Sequence, residues 1–141
     1  MNKIRIAING FGRIGRVFLR AVYGRPEFDI IAVNDLSDAK NLAYLLKYDS
    51  VYGRAPFSVE HKTQDRKHVF VLDEKKIVFV LKQKDPRLLP WKEYDIDVVV
   101  ESSGVFDTYE KSKAHLEAGA KRVVITSPVK DEPIGISGGT V

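Results

Sequence analysis

Residues 4–22 read IRIAINGFGRIGRVFLRAV and carry three consecutive structural signals. Isoleucine recurs at positions 4, 6 and 8, a period of two that predicts a strand ending near Asn9. A G-x-G-x-x-G turn follows at Gly10, Gly12 and Gly15, and apolar residues then recur at the spacing of an amphipathic helix. A strand, a glycine turn and a helix in this order predict the first unit of a dinucleotide-binding domain.

Each glycine of the turn has a separate physical task. Gly10 permits the tight turn, Gly12 lets the backbone approach a pyrophosphate, and Gly15 lets the helix pack close to the strand. The backbone N–H groups of Arg13 and Ile14, at the start of the helix, are predicted to bind the phosphate oxygens. The alternative is a tight strand–helix turn that binds nothing.

An acidic residue follows at the expected distance. Asp35 ends the second predicted strand, twenty residues beyond Gly15, where a dinucleotide fold places the carboxylate that binds the adenosine ribose. Such a carboxylate repels a 2′-phosphate, and Leu36 supplies no compensating positive charge, so NAD is favoured over NADP. The alternative is that Asp35 stabilises a turn or caps a helix, with Asp38 sharing that work.

The helix after the glycine turn is predicted to bury one face against the sheet. Its buried stripe is predicted to consist of Ile14, Val17, Phe18, Ala21 and Val22. The opposite, solvent-facing side is predicted to carry Arg13, Arg16 and Arg20. Gly24 and Pro26 are predicted to end the helix.

Downstream, strands and helices alternate. Further strands are predicted at 28–33, 98–100 and 122–126. Helices are predicted after Asp38, as a plausible cap, and over 108–117, closed by Gly119. Three short strands at 57–59, 68–72 and 77–81 predict a small antiparallel excursion. The pattern predicts an α/β fold of the Rossmann type, a doubly wound and mostly parallel sheet over residues 1–133. Residues 134–141 lack periodicity and are predicted to form a divergent or frayed tail.

Composition limits the class of protein. The 141 residues suit one domain, and no apolar run has the length of a membrane span. The N-terminus lacks the apolar segment of a signal peptide, which predicts a cytoplasmic protein. There is no cysteine, which excludes disulfides, thiolate metal sites and cysteine nucleophiles among these residues. The net charge of +4 and the pI near 9.2 are compatible with weak nucleic-acid binding but indicate mainly a slightly basic surface.

Several stretches resemble one known family when they are taken together. They match, in order and spacing over residues 3 to about 133, the NAD-binding half of phosphorylating glyceraldehyde-3-phosphate dehydrogenases. The matching stretches are NGFGRIGR (9–16), NDL (34–36), LKYDS (46–50), DP (85–86), LPW (89–91), ESSGVF (101–106) and AGAK (118–121) running into VIT (124–126). This set is far more specific than the glycine turn alone.

The resemblance implies a set of NAD-binding residues. Lys84 stands where the family commonly has arginine, which keeps the charge but loses the planar fork. Ser103 stands where threonine is usual, and Thr126 corresponds to a serine or threonine near the nicotinamide. The implied cofactor-binding residues are Asn9, Gly10, Phe11, Gly12, Arg13, Ile14, Gly15, Asn34, Asp35, Lys84, Ser103, Gly104 and Thr126.

The resemblance also implies which parts of the enzyme are missing. Family members work in glycolysis as homotetramers, and they use a cysteine thiolate to attack the aldehyde and a histidine to activate it. His61, His68 and His115 match no catalytic histidine of the family and are interpreted as surface or packing residues. We therefore expect that the catalytic domain is absent, that the chain is truncated, and that alone it binds NAD without catalysis.

Two other functions remain open from the sequence. One is a fragment of the related erythrose-4-phosphate dehydrogenase, whose distinguishing residues we expect in the missing half. The other is a stand-alone NAD-responsive or RNA-binding module, supported by the basic pI and by the arginines at 13, 16 and 20. No cluster of base-stacking aromatic residues accompanies those arginines, which disfavours RNA binding.

Overall fold

The computed structural model describes residues 2–105, 108–126 and 139–140, the last pair through its backbone. The helices are α1 (Arg13–Val22), α2 (Ala39–Lys47) and α3 (Tyr109–Glu117), and a short 3-10 helix covers Pro86–Leu88. The strands are β1 (Ile4–Asn9), β2 (Phe28–Asn34), β3 (Tyr48–Asp49), β4 (Gly53–Arg54), β5 (Val59–Gln64), β6 (Lys67–Leu72), β7 (Lys76–Leu81), β8 (Val98–Glu101), β9 (Arg122–Ile125) and β10 (Gly139–Thr140).

Eight of the strands form one sheet in the order β10-β9-β8-β1-β2-β7-β6-β5. The central pairs β9–β8, β8–β1, β1–β2 and β2–β7 are parallel. Strands β5, β6 and β7 form an antiparallel meander that continues the same sheet. The predicted doubly wound, mostly parallel sheet of the Rossmann type is confirmed.

The sheet is covered on both faces by apolar side chains. Within β1, Ile6 and Ile8 join the cluster that contains Leu19 of α1 and Leu42 of α2. Ala7 points to the other face and joins the cluster that contains Trp91, Val99 and Tyr109. This arrangement explains why β2 and β8 read as nearly continuous apolar runs rather than as alternating ones.

Two predicted helix boundaries are confirmed by their hydrogen bonds. Asp38 is the N-cap of α2, and its side chain accepts from the backbone N–H of Asn41 at 3.2 Å. Gly119, at φ +114°, ends α3, and its N–H bonds to the carbonyl of Leu116 at 3.1 Å. Its left-handed backbone is the conformation for which glycine is favoured at a helix end.

The predicted buried face of α1 is partly wrong. Ile14 is 55% exposed and Ala21 is exposed, whereas Gly15 and Leu19 are the buried residues of this helix. The cause is the close approach of Gly15 to the preceding turn, where an added Cβ would lie 2.5 Å from the carbonyl oxygen of Gly10. This contact fixes the rotation of the helix, so Leu19 rather than Ile14 faces the sheet.

Three further details differ from the sequence prediction. The first short strand was predicted at 57–59, but β5 runs from Val59 to Gln64 and is mostly polar. It is an edge strand, where polar side chains replace an apolar run. The β3–β4 hairpin was not predicted. In the predicted tail, residues 139–140 pair antiparallel with β9, and the lack of periodicity did not indicate this pairing. The rest of the tail lies outside the described residues.

Within the described ranges, no helix combines the length and apolar character needed to cross a membrane.

Candidate functional site

A cavity of about 450 Å³ opens at the carboxyl ends of the parallel strands. The chain continues from β1 to β2 on one side, while β8 pairs with β1 on the other, so the direction of winding reverses at β1. Ligands of doubly wound sheets bind in the crevice at such a reversal. The cavity is lined by Asn9, Gly10, Gly12, Asn34, Asp35, Leu36, Gln83, Lys84, Pro86, Ser102, Ser103 and Val105.

The start of α1 faces this cavity without a side-chain cap. Gly12 is the N-cap residue and offers no side-chain acceptor to the N–H groups of the first turn, whereas Asp38 caps α2. An added Cβ on Gly12 would meet no atom within 4 Å, so the space beside this residue is open. The backbone N–H groups at Arg13 and Ile14 can therefore bond an anion that enters the cavity.

The other two glycines of the turn are needed for close packing. Gly10 has φ +90°, and an added Cβ would lie 2.4 Å from the backbone N and Cα of Ser103. Gly15 contacts the carbonyl oxygen of Gly10, as described above. Gly10 and Gly15 thus hold β1, α1 and the loop after β8 together, and Gly12 alone keeps space free.

Asp35 joins the end of β2 to the glycine turn. One carboxylate oxygen accepts from the backbone N–H of Phe11 at 2.7 Å, and the other accepts from the N–H of Ser37 at 2.9 Å. The predicted turn role is therefore present. These two bonds leave one acceptor position free on each carboxylate oxygen, because each oxygen has two such positions. Asp35 lines the cavity and remains able to accept from hydroxyl groups.

The structure brings seven of the thirteen predicted cofactor residues to the cavity wall: Asn9, Gly10, Gly12, Asn34, Asp35, Lys84 and Ser103. Gly104 adjoins Ser103 with φ +76°. Thr126 follows β9, and both its N–H and its hydroxyl donate to the carbonyl oxygen of Glu101 at 3.1 Å. Thr126 thus lies at the same end of the sheet.

Phe11 and Gly15 are structural residues of the site. The ring of Phe11 is fully buried, 5.8 Å from that of Phe70, and its backbone N–H is bonded by Asp35. Sequence reasoning also missed several lining residues. Leu36 and Pro86 provide apolar surface, and Gln83, Ser102 and Val105 follow β7 and β8. Their positions at the ends of parallel strands are the signal that could have found them.

The arginines of α1 do not form the predicted solvent-facing row. The guanidinium of Arg16 donates to the carbonyl of Phe11 at 3.0 Å, and burial lowers its pKa. Arg20 donates to the carbonyls of Leu46 and Gly53 at 2.8 and 2.9 Å. Arg16 thus bonds back to the glycine turn, and Arg20 ties α1 to α2 and to the β3–β4 hairpin. These bonds leave the two side chains fewer donors for RNA phosphates.

The histidines occupy surface and packing positions, as interpreted from the sequence. His115 is fully buried between Trp91 and Glu101. His61 and His68 lie on neighbouring strands, with ring nitrogens 2.8 Å apart. Among the residues that the structure describes, no group of three histidine or acidic side chains could hold a metal ion.

Comparison with known proteins identifies a matching family. The family model described as "Glyceraldehyde 3-phosphate dehydrogenase, NAD binding domain" matches residues 4–109. The chain is 48% identical over 134 residues to the glyceraldehyde-3-phosphate dehydrogenase of Thermotoga maritima, with 94% of this chain and 39% of that protein covered. It is 47% identical over 133 residues to the enzyme of that name from Geobacillus stearothermophilus, with coverages of 94% and 38%.

A eukaryotic relative gives a similar result. The cytosolic glyceraldehyde-3-phosphate dehydrogenase of Trypanosoma brucei brucei is 48% identical over 129 residues, which cover 92% of this chain and 38% of that protein. The chain thus spans about two fifths of the length of the curated relatives it matches.

Proposed function

Because this chain belongs to the glyceraldehyde-3-phosphate dehydrogenase family through its NAD-binding domain, we propose that the cavity at the ends of β1, β2 and β8 binds NAD. The observation that carries the proposal is the open space at Gly12 beside the uncapped start of α1. A pyrophosphate there is bonded by N–H groups that the protein leaves without a capping side chain. A strand–helix turn that bound nothing would have no need of that space.

The lining residues fit the other parts of NAD. The adenosine ribose binds the free acceptor positions of Asp35, while Leu36 and Pro86 supply apolar surface for the adenine. Lys84 also lines the cavity and supplies a positive charge for the phosphates. The nicotinamide lies toward Ser103, Gly104 and Thr126, on the loops after β8 and β9. All thirteen residues predicted from the sequence remain part of this proposal, with Phe11 and Gly15 acting through the backbone.

Asp35 selects NAD over NADP. Its oxygens already accept from Phe11 and Ser37, and they can accept further from ribose hydroxyls. In NADP a negatively charged phosphate replaces the 2′-hydroxyl donor, so the carboxylate of Asp35 repels it. Lys84 also lines the cavity, and its positive charge offsets part of this repulsion, which predicts weaker NADP binding rather than none.

In the whole protein, we propose that NAD bound here accepts hydride from glyceraldehyde 3-phosphate, in a phosphorylating, glycolytic enzyme of the cytosol. The chain then functions with a catalytic domain and with like subunits, as the homotetramers of the family do. These 141 residues contain no cysteine, so the attacking thiolate is not among them. We therefore propose that this chain alone binds NAD without dehydrogenase turnover.

Calorimetric titration of the chain with NAD and NADP tests the proposal. The wild type should bind NAD more tightly than NADP, and Asp35→Ala should lose that preference. Asp38→Ala is the matched control, because it removes a neighbouring carboxylate that caps α2 and does not line the cavity. No NAD binding by the folded wild type, or unchanged discrimination in Asp35→Ala, contradicts the assignment.

A coupled assay tests the catalytic part of the proposal. Purified chain with glyceraldehyde 3-phosphate, phosphate and NAD should form no NADH. Turnover that follows the chain through every purification step would contradict the proposal and would require a nucleophile other than cysteine.

A further inference from the structure

A buried carboxylate lies directly beneath the cavity. Glu101, the last residue of β8, is 1% exposed. One of its oxygens accepts from the Nδ2 of Asn9 and from the Nε2 of His115, each at 2.7 Å. The other accepts from the backbone N–H of Ser103 at 3.0 Å and from the Ser103 hydroxyl. All four acceptor positions of the carboxylate are therefore used.

The first of these donors is fixed from the far side of the cavity. The backbone N–H of Gln83 donates to Oδ1 of Asn34 at 2.8 Å, and a backbone N–H cannot reverse its role. The Nδ2 of Asn34 must then donate to Oδ1 of Asn9, at 2.7 Å. This orientation turns the Nδ2 of Asn9 toward Glu101. Both amides are thus oriented by the main-chain N–H of Gln83, which contacts Asn34 directly and Asn9 through Asn34.

The second donor is fixed from the opposite face of the sheet. The indole N–H of Trp91 can only donate, and it donates to Nδ1 of His115 at 3.1 Å. Nδ1 must therefore be the acceptor nitrogen, and Nε2 carries the hydrogen that points to Glu101. The third donor, the N–H of Ser103, belongs to the main chain and cannot reverse either.

Three independent donors thus converge on one residue, and only a group without hydrogens satisfies them all. We infer that Glu101 is a positioning residue of the cavity, whose acceptor-only carboxylate orients Asn9 and Ser103 for the dinucleotide. The inference rests on the proposed function. Ser103 in turn accepts from the N–H of Val105 at 3.2 Å, so the carboxylate also holds the loop that forms this wall. Asn9, Asn34, Gln83, Ser103 and Val105 all line the cavity.

Glu101→Gln tests the inference with almost no change in size. Either orientation of the glutamine amide turns its NH₂ group toward a fixed donor, at Ser103 or at His115. NAD should bind about tenfold more weakly or worse, because a buried hydrogen bond to a charged group is replaced by a donor–donor contact. Val99→Ala is the matched control: it removes apolar volume from the same strand on the face that contains Trp91. It should lower stability but leave NAD affinity within about twofold.

A measurement without NAD separates this inference from the proposed function. Nitrogen-15 NMR of the imidazole should show His115 in the Nε2–H form in the wild type. If Glu101→Gln does not fold, Trp91→Phe serves instead. It removes the donor to Nδ1, while the carboxylate of Glu101 still accepts from Nε2–H, so His115 should keep the Nε2–H form and NAD affinity should stay within about twofold. A mixture of the two tautomers in this variant would overturn the positioning role.

The outcomes distinguish the two ideas. Wild-type NAD binding with an unchanged affinity in Glu101→Gln, or an Nδ1–H ring in the wild type, overturns the positioning role alone. A folded wild type that shows the Nε2–H ring but does not bind NAD overturns the proposed function, and the positioning role fails with it. Weakened binding in the glutamine variant together with the Nε2–H ring supports the inference.

Discussion

Single substitutions in the glycine turn should separate folding from binding. In Gly10→Ala, the new Cβ would lie 2.4 Å from the backbone of Ser103, and the residue would have to keep φ +90°. Such a backbone conformation costs roughly 1–3 kcal/mol in a non-glycine residue. Relieving the overlap by a backbone shift typically costs about 1–3 kcal/mol more. We therefore expect a loss of about 2–6 kcal/mol, a large part of the 5–15 kcal/mol that stabilises a typical domain.

Gly12→Ala should behave differently in the same assay. Gly12 has φ −77°, which any residue adopts, and its added Cβ meets nothing within 4 Å. Alanine is a poorer N-cap residue than glycine, but it also reduces the entropy of the unfolded chain by about 0.4–1 kcal/mol. The two effects oppose each other, so stability should change by less than about 1 kcal/mol.

NAD binding, in contrast to stability, should be strongly weakened by a substitution at Gly12. A larger side chain in Gly12→Val occupies the open space and keeps a pyrophosphate from the N–H groups of Arg13 and Ile14. Losing two hydrogen bonds to a charged group, at about 1.5–3 kcal/mol each, weakens binding by more than about a hundredfold. Urea unfolding measures the stability of each variant, and calorimetry measures its NAD affinity.

Two results would refute this reasoning. One is a Gly10→Ala protein that unfolds at the wild-type urea concentration, since the overlap with Ser103 would then be relieved at no cost. The other is a folded Gly12→Val protein whose NAD affinity is unchanged, because the open space would then have no role in binding phosphate.

Two further predictions concern charges away from the cavity. Asp38→Ala should lower the free energy of unfolding by about 1 kcal/mol, because the N-cap bond to Asn41 is lost, with NAD affinity unchanged in calorimetry. The N–H of Arg5, together with Lys121, lowers the pKa of Asp97. The ionised carboxylate of Asp97 therefore stabilises the folded protein fully at pH values above its unfolded-state pKa of about 3.9. This stabilisation is lost as the pH falls through the lower folded-state pKa. In urea unfolding, Asp97→Asn should be less stable than the wild type at pH 7, and the difference should vanish on acidification; a constant difference at all pH values would contradict this linkage.

The parts of the fold that depend on short-range patterns were predictable from the sequence. The alternation before Asn9, the glycine turn and the position of Asp35 together indicated the first βα unit, and the cavity lies there. The rotation of α1 was not predictable in this way. It depends on the packing of Gly15 against the Gly10 carbonyl. A pattern of apolar side chains cannot show this contact, because glycine has no side chain to contribute to the pattern.

Glu101 illustrates what a linear pattern cannot show. A glutamate is normally exposed, so nothing local marks this one as buried beneath the cavity. Its donors come from β1, from the loop after β8 and from α3, segments that meet only in the folded sheet. The edge strand β5 could not be predicted from its sequence for the same reason, because its mostly polar residues form a strand only through pairing with β6.

The most direct test of the account is an NMR titration of the ¹⁵N-labelled chain with NAD. The amide signals that shift should belong to the glycine turn, to the segment after β2 and to the loops after β7 and β8, with the largest changes at Arg13 and Ile14. The amides of Tyr23 and Lys76 should not move, because they line a separate cavity of about 110 Å³ and provide an internal control. Shifts centred on Tyr23 and Lys76, or no shifts at saturating NAD, would contradict the assignment of the cofactor site.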